Sequence, residues 1–560
     1  NFIGNYLVGK GANTETSITI TVNGGSFDSF HVAGAYNTLA PGNFVRVIFN
    51  GGSTRYLNLG FAEKGTVGSD ICVEVNADVI SSKTISYQAD KTVLEGDPTI
   101  SVIFNGGITG YTFTSEAETV VDYKIYSAVG GIVTLYEEGD GKTFLLTPVG
   151  ENFPKVNGSF IPETDGKYLY TPAASGEITV TWATGEETVP VVYDINGEKF
   201  AFVKEGGGII TYGGEVRFAY KDVNTAVAAL GTEGGTVAIS GSVRFNSEKE
   251  ILDSSNQLSD IDGRKSLSII GIDGTSPILN YCRSMTLRGD LTIDALTYKK
   301  YFDGKIWDQG IFYNGHNLTI GENFKSESDH PSQNMLIYCG GSAITFDKAV
   351  ITILGGEIQQ IFGGTTWSGV TITGDTEINI KGGSVGTIFA GSHGGDSKNN
   401  SINKGNININ IYGGSVGNIY TGVNGKDGIE GNVTVHIYGG TVKNGTLYHG
   451  CATDNGSNYV DGNSVYVISG GNFSGATFGS ASKRGVTGEA VFIVRNDIEG
   501  YKYVSADGTT LITYKPEGTV EPEYGEDGSL IGYKIISDNG KDVLIDGVKA
   551  TPIAEDIYTI

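Results

Sequence analysis

The residues of this chain that can do chemistry are few and scattered. Six histidines, His31, His316, His330, His393, His436 and His449, show no metal-ligand spacing. His436 lies between Val435 and Ile437, so it occupies the polar side of a strand and is expected to face solvent. Cys72, Cys282, Cys339 and Cys451 form no CxxC. Each sits in or beside an apolar run, which reads as a buried small hydrophobe, and a disulfide framework needs more cysteines. Arg244, Arg264, Arg288 and Arg484 share no position in any pattern. Glycoside hydrolysis needs two carboxylates flanking one bond, and no inward-facing or same-strand acidic pair is legible. The Asp/Asn-rich loops could bind Ca²⁺: Asp396 with Asn399 and Asn400, Asp427 with Glu430, and Asp454 with Asn455, Asn458 and Asp461. None matches an EF-hand or the Ca²⁺-binding nonapeptide of β-rolls, and Asp and Asn favour turns on their own account. No catalytic, cofactor-binding or metal-ligating residue is assigned, and no cofactor beyond possible loop Ca²⁺.

The elements that must position these residues are repeats. Ile378-Asn379-Ile380-Lys381-Gly382-Gly383-Ser384-Val385 returns as Ile409-Asn410-Ile411-Tyr412-Gly413-Gly414-Ser415-Val416. It returns again around Gly439-Gly440 and Gly470-Gly471. The first glycines fall at 355, 382, 413, 439 and 470, in steps of 27, 31, 26 and 31 residues. A period of this size signals a solenoid. Ile378 and Ile380 alternate with polar neighbours, as a half-buried strand requires, and Gly-Gly permits a sharp bend. Two or three short strands per turn make a parallel β-helix, with Ile380, Ile411, Ile437 and Val467 expected to stack inward. The insertions Ser392 to Lys404, Asn424 to Gly431 and Thr453 to Gly462 should leave one side of the coil.

Composition narrows the class. Glycine is 85 of 560 residues, about twice ordinary usage, and charged residues are 18%. A net charge of −25 argues against nucleic acid and anionic membranes as partners. No apolar run approaches the length of a membrane-spanning helix.

Along the chain the fold class reads as all-β: parallel β-helix segments alternating with small β-sandwich-like modules. Residues 1–120 are coils, with asparagines at 23, 50, 76 and 105 in steps of 27, 26 and 29. They start mid-coil, since Gly4-Asn5-Tyr6-Leu7 lines up with Gly417-Asn418-Ile419-Tyr420. Residues 121–221 lose the period and carry the hairpin signals Asn157-Gly158, Asp165-Gly166 and Asn196-Gly197. There Tyr168, Tyr170 and Trp182 read as packing residues. Residues 222–497 open with a helix, since Val223, Ala226, Val227 and Leu230 share one face, Asp222 is an N-cap and Gly231 a stop. Residues 498–560 echo the first module: Tyr501-Lys502-Tyr503 matches Tyr123-Lys124-Ile125, and Ile545-Asp546-Gly547 matches Val156-Asn157-Gly158. The equivalent of Ile178 to Trp182 is missing, so both ends are expected to be completed by another chain or by more of the same one. A removed secretion signal and excision from a longer protein both account for a start at Asn1.

The helix leading into Gly234-Gly235-Thr236-Val237, followed by Leu267-Ser268-Ile269-Ile270-Gly271 and Leu291-Thr292-Ile293-Asp294, resembles the cap and first coils of right-handed β-helices of the pectin-lyase-like superfamily. The Gly-Gly-Ser-Val repeats resemble those of large secreted or surface proteins of anaerobic bacteria. That superfamily hosts lyases and hydrolases, so the resemblance implies a possible carbohydrate site. The polygalacturonase motifs are missing, apart from Gly391-Ser392-His393-Gly394 as the nearest approach to Gly-His-Gly. The leading expectation is therefore a non-catalytic extracellular or cell-surface structural or adhesive protein. It would self-associate head to tail into filaments or sit among neighbouring repeats, with a glycan or cell-surface ligand possible. Two alternatives remain. One is a carbohydrate-active enzyme using the irregular region Tyr298 to Gln333, with Trp307, His316 and His330. The other is a glycan-binding adhesin using the loops after each second strand.

Overall fold

Apolar residues alternating along short strands, punctuated by glycine pairs, coil the chain into an all-β solenoid of about 15 turns. The computed structural model describes residues 17–558 apart from 34–37, 40–42, 62–63, 139–140, 185–187, 246–265, 282–283, 301–309, 329–334, 340–344, 367, 394–399, 426, 453–457, 480–484, 505–507, 515–517, 527, 538–543, 546–547, 550–551 and 555–556. Two units result, residues 1–190 with 208–218, and residues 191–207 with 219–560.

In the second unit one long parallel sheet takes a strand from every turn, among them Asp375–Ile380, Ile407–Ile411, Val433–Ile437 and Ser464–Ile468. Ile380 pairs with Ile411, Ile411 with Ile437, and Ile437 with Ile468. Ile468, and not Val467, thus completes the expected ladder. The bend sets the register: each of the four lies two residues before the first glycine of its pair. Val467 instead stands opposite His436 on the outer face.

Both glycines of a pair lie against the turn beneath, and the second also bends the chain. The second adopts a left-handed backbone, with φ of 68°, 70° and 79° at Gly383, Gly414 and Gly440. A Cβ on Gly413 would stand 2.5 Å from the Lys381 carbonyl oxygen, and one on Gly439 2.5 Å from that of Tyr412. Gly-Gly therefore encodes close stacking as well as a bend.

The cross-section of the coil changes along the unit. Early turns place Ile278–Tyr281, Thr297–Lys300 and Lys325–Ser328 in a four-stranded sheet before the chain reaches a nine-stranded second sheet. From Lys348–Ile353 onward the glycine bend leads directly into that second sheet, at Glu357–Phe362. The described parts of the stretches read as insertions contribute strands of the coil itself: Ile402–Asn403, Gly428–Ile429 and Tyr459–Val460 join Thr371–Ile372 in a third sheet, and Ile372, Ile429 and Val460 belong to the coil core. The helix Val223–Leu230 forms with Asp222 Oδ1 accepting from Thr225 N–H at 2.8 Å, and its four predicted apolar residues join the coil core.

The first unit repeats the scheme on strands Ile18–Val22, Phe44–Phe49, Asp70–Val75 and Ile100–Phe104. A short helix that sequence reading missed, Ser115–Val120, is capped by Thr114. Its long sheet continues through Tyr123–Ser127 and Gly176–Ala183. An antiparallel sheet in the order Gly131–Leu135, Phe144–Pro148, Lys167–Tyr170, Glu163–Thr164 packs on the outer face of those strands. This is the β-sandwich. It buries Cys72, Ile103, Ile125, Ile178 and Trp182. Beneath it Glu74 receives a fork from Arg46, Nε at 2.7 Å and Nη2 at 3.0 Å, and the Leu135 N–H at 3.0 Å. Burial pushes the Glu74 carboxyl up, and the Arg46 guanidinium opposes that shift.

The C-terminal region reproduces this order with Gly518–Tyr524, Leu530–Ser537, Ile557–Tyr558 and Pro552–Ala554. One expected equivalence is corrected. Lys502–Tyr503 joins the second sheet, and Thr510–Tyr514 takes the long-sheet place that Tyr123–Ser127 holds in the first unit. The new sheet covers the outer face near Thr434, whose hydroxyl lies 3.0 Å from the Tyr524 hydroxyl, and the Gly528 carbonyl accepts from Asn432 at 3.2 Å and Asn463 at 3.3 Å.

Candidate functional site

The loop side of the second unit gathers the most chemistry. The second sheet carries a stack of rings. Tyr338, Phe362, Phe389, Tyr420 and Tyr448 follow one another at centroid spacings of 4.9, 4.8, 5.0 and 4.8 Å, all nearly parallel. One ring per turn at the inter-strand spacing gives this geometry automatically. The first three are buried and the last two half-buried. His393 stands edge-on to Phe362 at 5.2 Å.

The third sheet turns polar groups inward. Ser401, Asn403 and Asp427 are each 1% exposed or less, and Asn458, on the strand beyond, is 9% exposed. Asp427 Oδ1 accepts from Ser401 N–H at 2.8 Å, and Ser401 Oγ accepts from Val370 N–H at 3.1 Å. Asn403 donates to the Gly363 carbonyl at 3.2 Å. Two oxygens are left over: Asp427 Oδ2 and Asn403 Oδ1 are buried without a hydrogen-bond partner. Burial raises the Asp427 carboxyl, opposed by the Ser401 N–H and the charge of His393. Asp427 was expected beside Glu430, but Glu430 is exposed and pairs with Lys404 at 3.4 Å. Adjacent strand residues point to opposite faces, and no sequence signal shows which member of such a loop is turned inward.

The other candidates separate. Asp461 is exposed and takes a hydrogen bond from Thr487 at 3.3 Å, while Asn400 is exposed. Asp396, Asn399, Asp454, Asn455, Trp307, His330, Cys282, Arg264 and Arg484 lie outside the described residues. Cys72, Cys339 and Cys451 are buried and in no disulfide, as expected of small hydrophobes. His436 is corrected: it is on the outer face but half-buried, 5.7 Å from the Tyr438 ring, and burial lowers its pKa to about 4. His316 is lowered by burial, with Asp290 opposing and Arg288 assisting.

His449 forms a pair that sequence reading missed. Its Nδ1 lies 2.6 Å from Ser464 Oγ, which lies 2.6 Å from Thr421 Oγ1. The spacing suits a nucleophile and its base, but His449, Ser464 and Thr421 are all sealed in the core, and burial lowers the imidazole pKa to about 3. A substrate has no path to it, so the trio serves packing.

Within the region from Tyr298 to Gln333, the turn of Glu322, Asn323, Phe324, Lys325 and Glu327 walls an open groove of about 780 Å³, whose other wall includes Asp273, Pro277 and Thr297. Among the described residues no three His, Cys, Asp or Glu side chains converge as a metal cluster. Compared with models of known families, with curated proteins and with solved structures, the chain shows no significant match.

Proposed function

We propose that this chain is a non-catalytic structural or adhesive β-helix protein of the cell exterior, of the pectin-lyase-like type, working by self-association or within a longer array of such repeats. The observation that supports this is where its repeated polar residues direct their hydrogen bonds. Asn50 donates to Asn23 at 3.0 Å, Asn76 to Asn50 at 2.8 Å and Asn105 to Asn76 at 2.8 Å. Asp375 Oδ1, Asn406 Oδ1, Asn432 Oδ1 and Asn463 Oδ1 each accept from the backbone N–H one turn further on, at 2.7 to 3.0 Å. These residues tie turn to turn within each unit, which favours a stiff structural stack over a mobile catalytic site. Electron microscopy of the native material tests the reading: rods or filaments are expected, and compact single particles would overturn it.

A carbohydrate-active site is the second reading, favoured by the groove at Glu322 and Glu327. Incubation with a panel of acidic and neutral glycans decides it. Release of reducing ends or unsaturated products, lost in Glu322→Gln, would establish catalysis.

A further inference from the structure

We propose that the inward oxygens of the third sheet hold a Ca²⁺ ion, with Asp427 Oδ2 as the charged ligand and Asn403 Oδ1 beside it. The inference rests on these residues alone and stands whether or not the chain forms rods. Both atoms are acceptors, both are buried, and neither has a donor. An interior carboxylate oxygen without a donor is costly, so native structures rarely leave one.

The register sets the two on neighbouring turns of the third sheet. Asn403 pairs with Ile429, and Asp427 lies two residues before Ile429, beside Ser401. Diagonal neighbours on one face of a sheet stand roughly 7 Å apart at Cβ, a gap that two short side chains turned toward each other can close around one ion. Ser401 Oγ adds a third oxygen nearby, and Asn458 precedes Tyr459, which pairs with Gly428. The donor set contains oxygen and no sulfur or imidazole, which selects a hard cation. Donors drawn from two or three stacked turns cannot easily meet the strict octahedron of Mg²⁺, whereas Ca²⁺ accepts irregular shells. A single carboxylate predicts weak binding, with a Kd on the order of 10⁻⁴–10⁻³ M, the range of extracellular modules. The competing occupant is a water molecule, which can donate to both acceptors at once.

The test uses the whole chain. Thermal melting in EGTA and in millimolar Ca²⁺ is compared, and Tb³⁺ luminescence is titrated. Tyr459, whose ring lies against Gly428, serves as the sensitiser. The expected result is a Tm several degrees higher with Ca²⁺ and saturable Tb³⁺ emission that Ca²⁺ displaces. Asp427→Asn, which keeps the shape and the Ser401 contact, should lose both effects. Asn403→Leu should weaken Ca²⁺ at least tenfold, and with the wild-type titration it decides the matter if Asp427→Asn does not fold. No Tm shift with no saturable emission in the wild type would assign the pocket to water. Emission that persists in Asp427→Asn would place the ion elsewhere. Either result overturns the proposal.

Discussion

Single residues in this solenoid are read by the turns above and below them. Ile411 is wholly buried between Ile380 and Ile437. Ile411→Asp places an unpaired charge there and should cost several kcal/mol; a Tm within a degree or two of the parent would show the register to be wrong. His449 sets a pH dependence. Its folded pKa of about 3 lies below the ordinary 6.5, so the folded state holds it neutral while the unfolded chain takes up a proton. Its contribution is therefore complete above pH 6.5 and declines steadily as pH falls from there toward 3. Denaturant melts across this window should show the loss, and His449→Gln should flatten the curve between pH 6 and about 4. An unchanged slope would mean that other groups carry the acid sensitivity.

At the scale of strands, what matters is whether the outer face is covered. Ile407–Ile411 alternates buried and half-buried residues, with Asn408 and Asn410 turned out. Ser464–Ile468 and Asp70–Val75 are buried on both faces at nearly every position. A strand apolar on both sides is one that another layer will cover, and each of these has an antiparallel sheet over it. Val467→Asp should thus destabilise nearly as much as Ile411→Asp, whereas Asn408→Asp should stay within about 0.5 kcal/mol of the parent. Equal effects at the two sites would contradict the covering layer. The asparagine ladder gives a milder test. Asn76 both donates to Asn50 and accepts from Asn105, so Asn76→Ala should cost about 1–2 kcal/mol by urea melting.

For the molecule as a whole, the proposed head-to-tail assembly can be tested at two strands. Among the described residues, Ile18–Val22 and Thr510–Tyr514 each pair on one edge only. Ile18, Ile20 and Leu511 remain half-exposed there. Parallel edges with apolar flanks are templates for strand addition, and a heterologous contact without closure extends into a fibre. If such a contact forms, the mass from light scattering should rise with concentration and Ile20→Lys should suppress the rise. A strictly monomeric wild type at high concentration would remove head-to-tail assembly and leave the solenoid fold itself untouched.

The period of Gly-Gly, the alternation of Ile378 to Ile380 and the capped helix at Asp222 determined the all-β solenoid from sequence alone, because these signals are local. A bend needs a residue without a Cβ, and a half-buried strand needs alternation, wherever in space the segment lies. Even the final register was within reach, since counting back from Gly470 selects Ile468. Tertiary structure alone decided which polar residues turn inward and which faces are roofed. Asp427, Asn403, His449 and Glu74 look in sequence like many loop and strand polars. Their burial depends on neighbours one turn or one layer away, between about 15 and 61 residues distant along the chain. The equivalence of Thr510–Tyr514 with Tyr123–Ser127 was equally hidden, because strand order, and not side-chain identity, is what the two modules share.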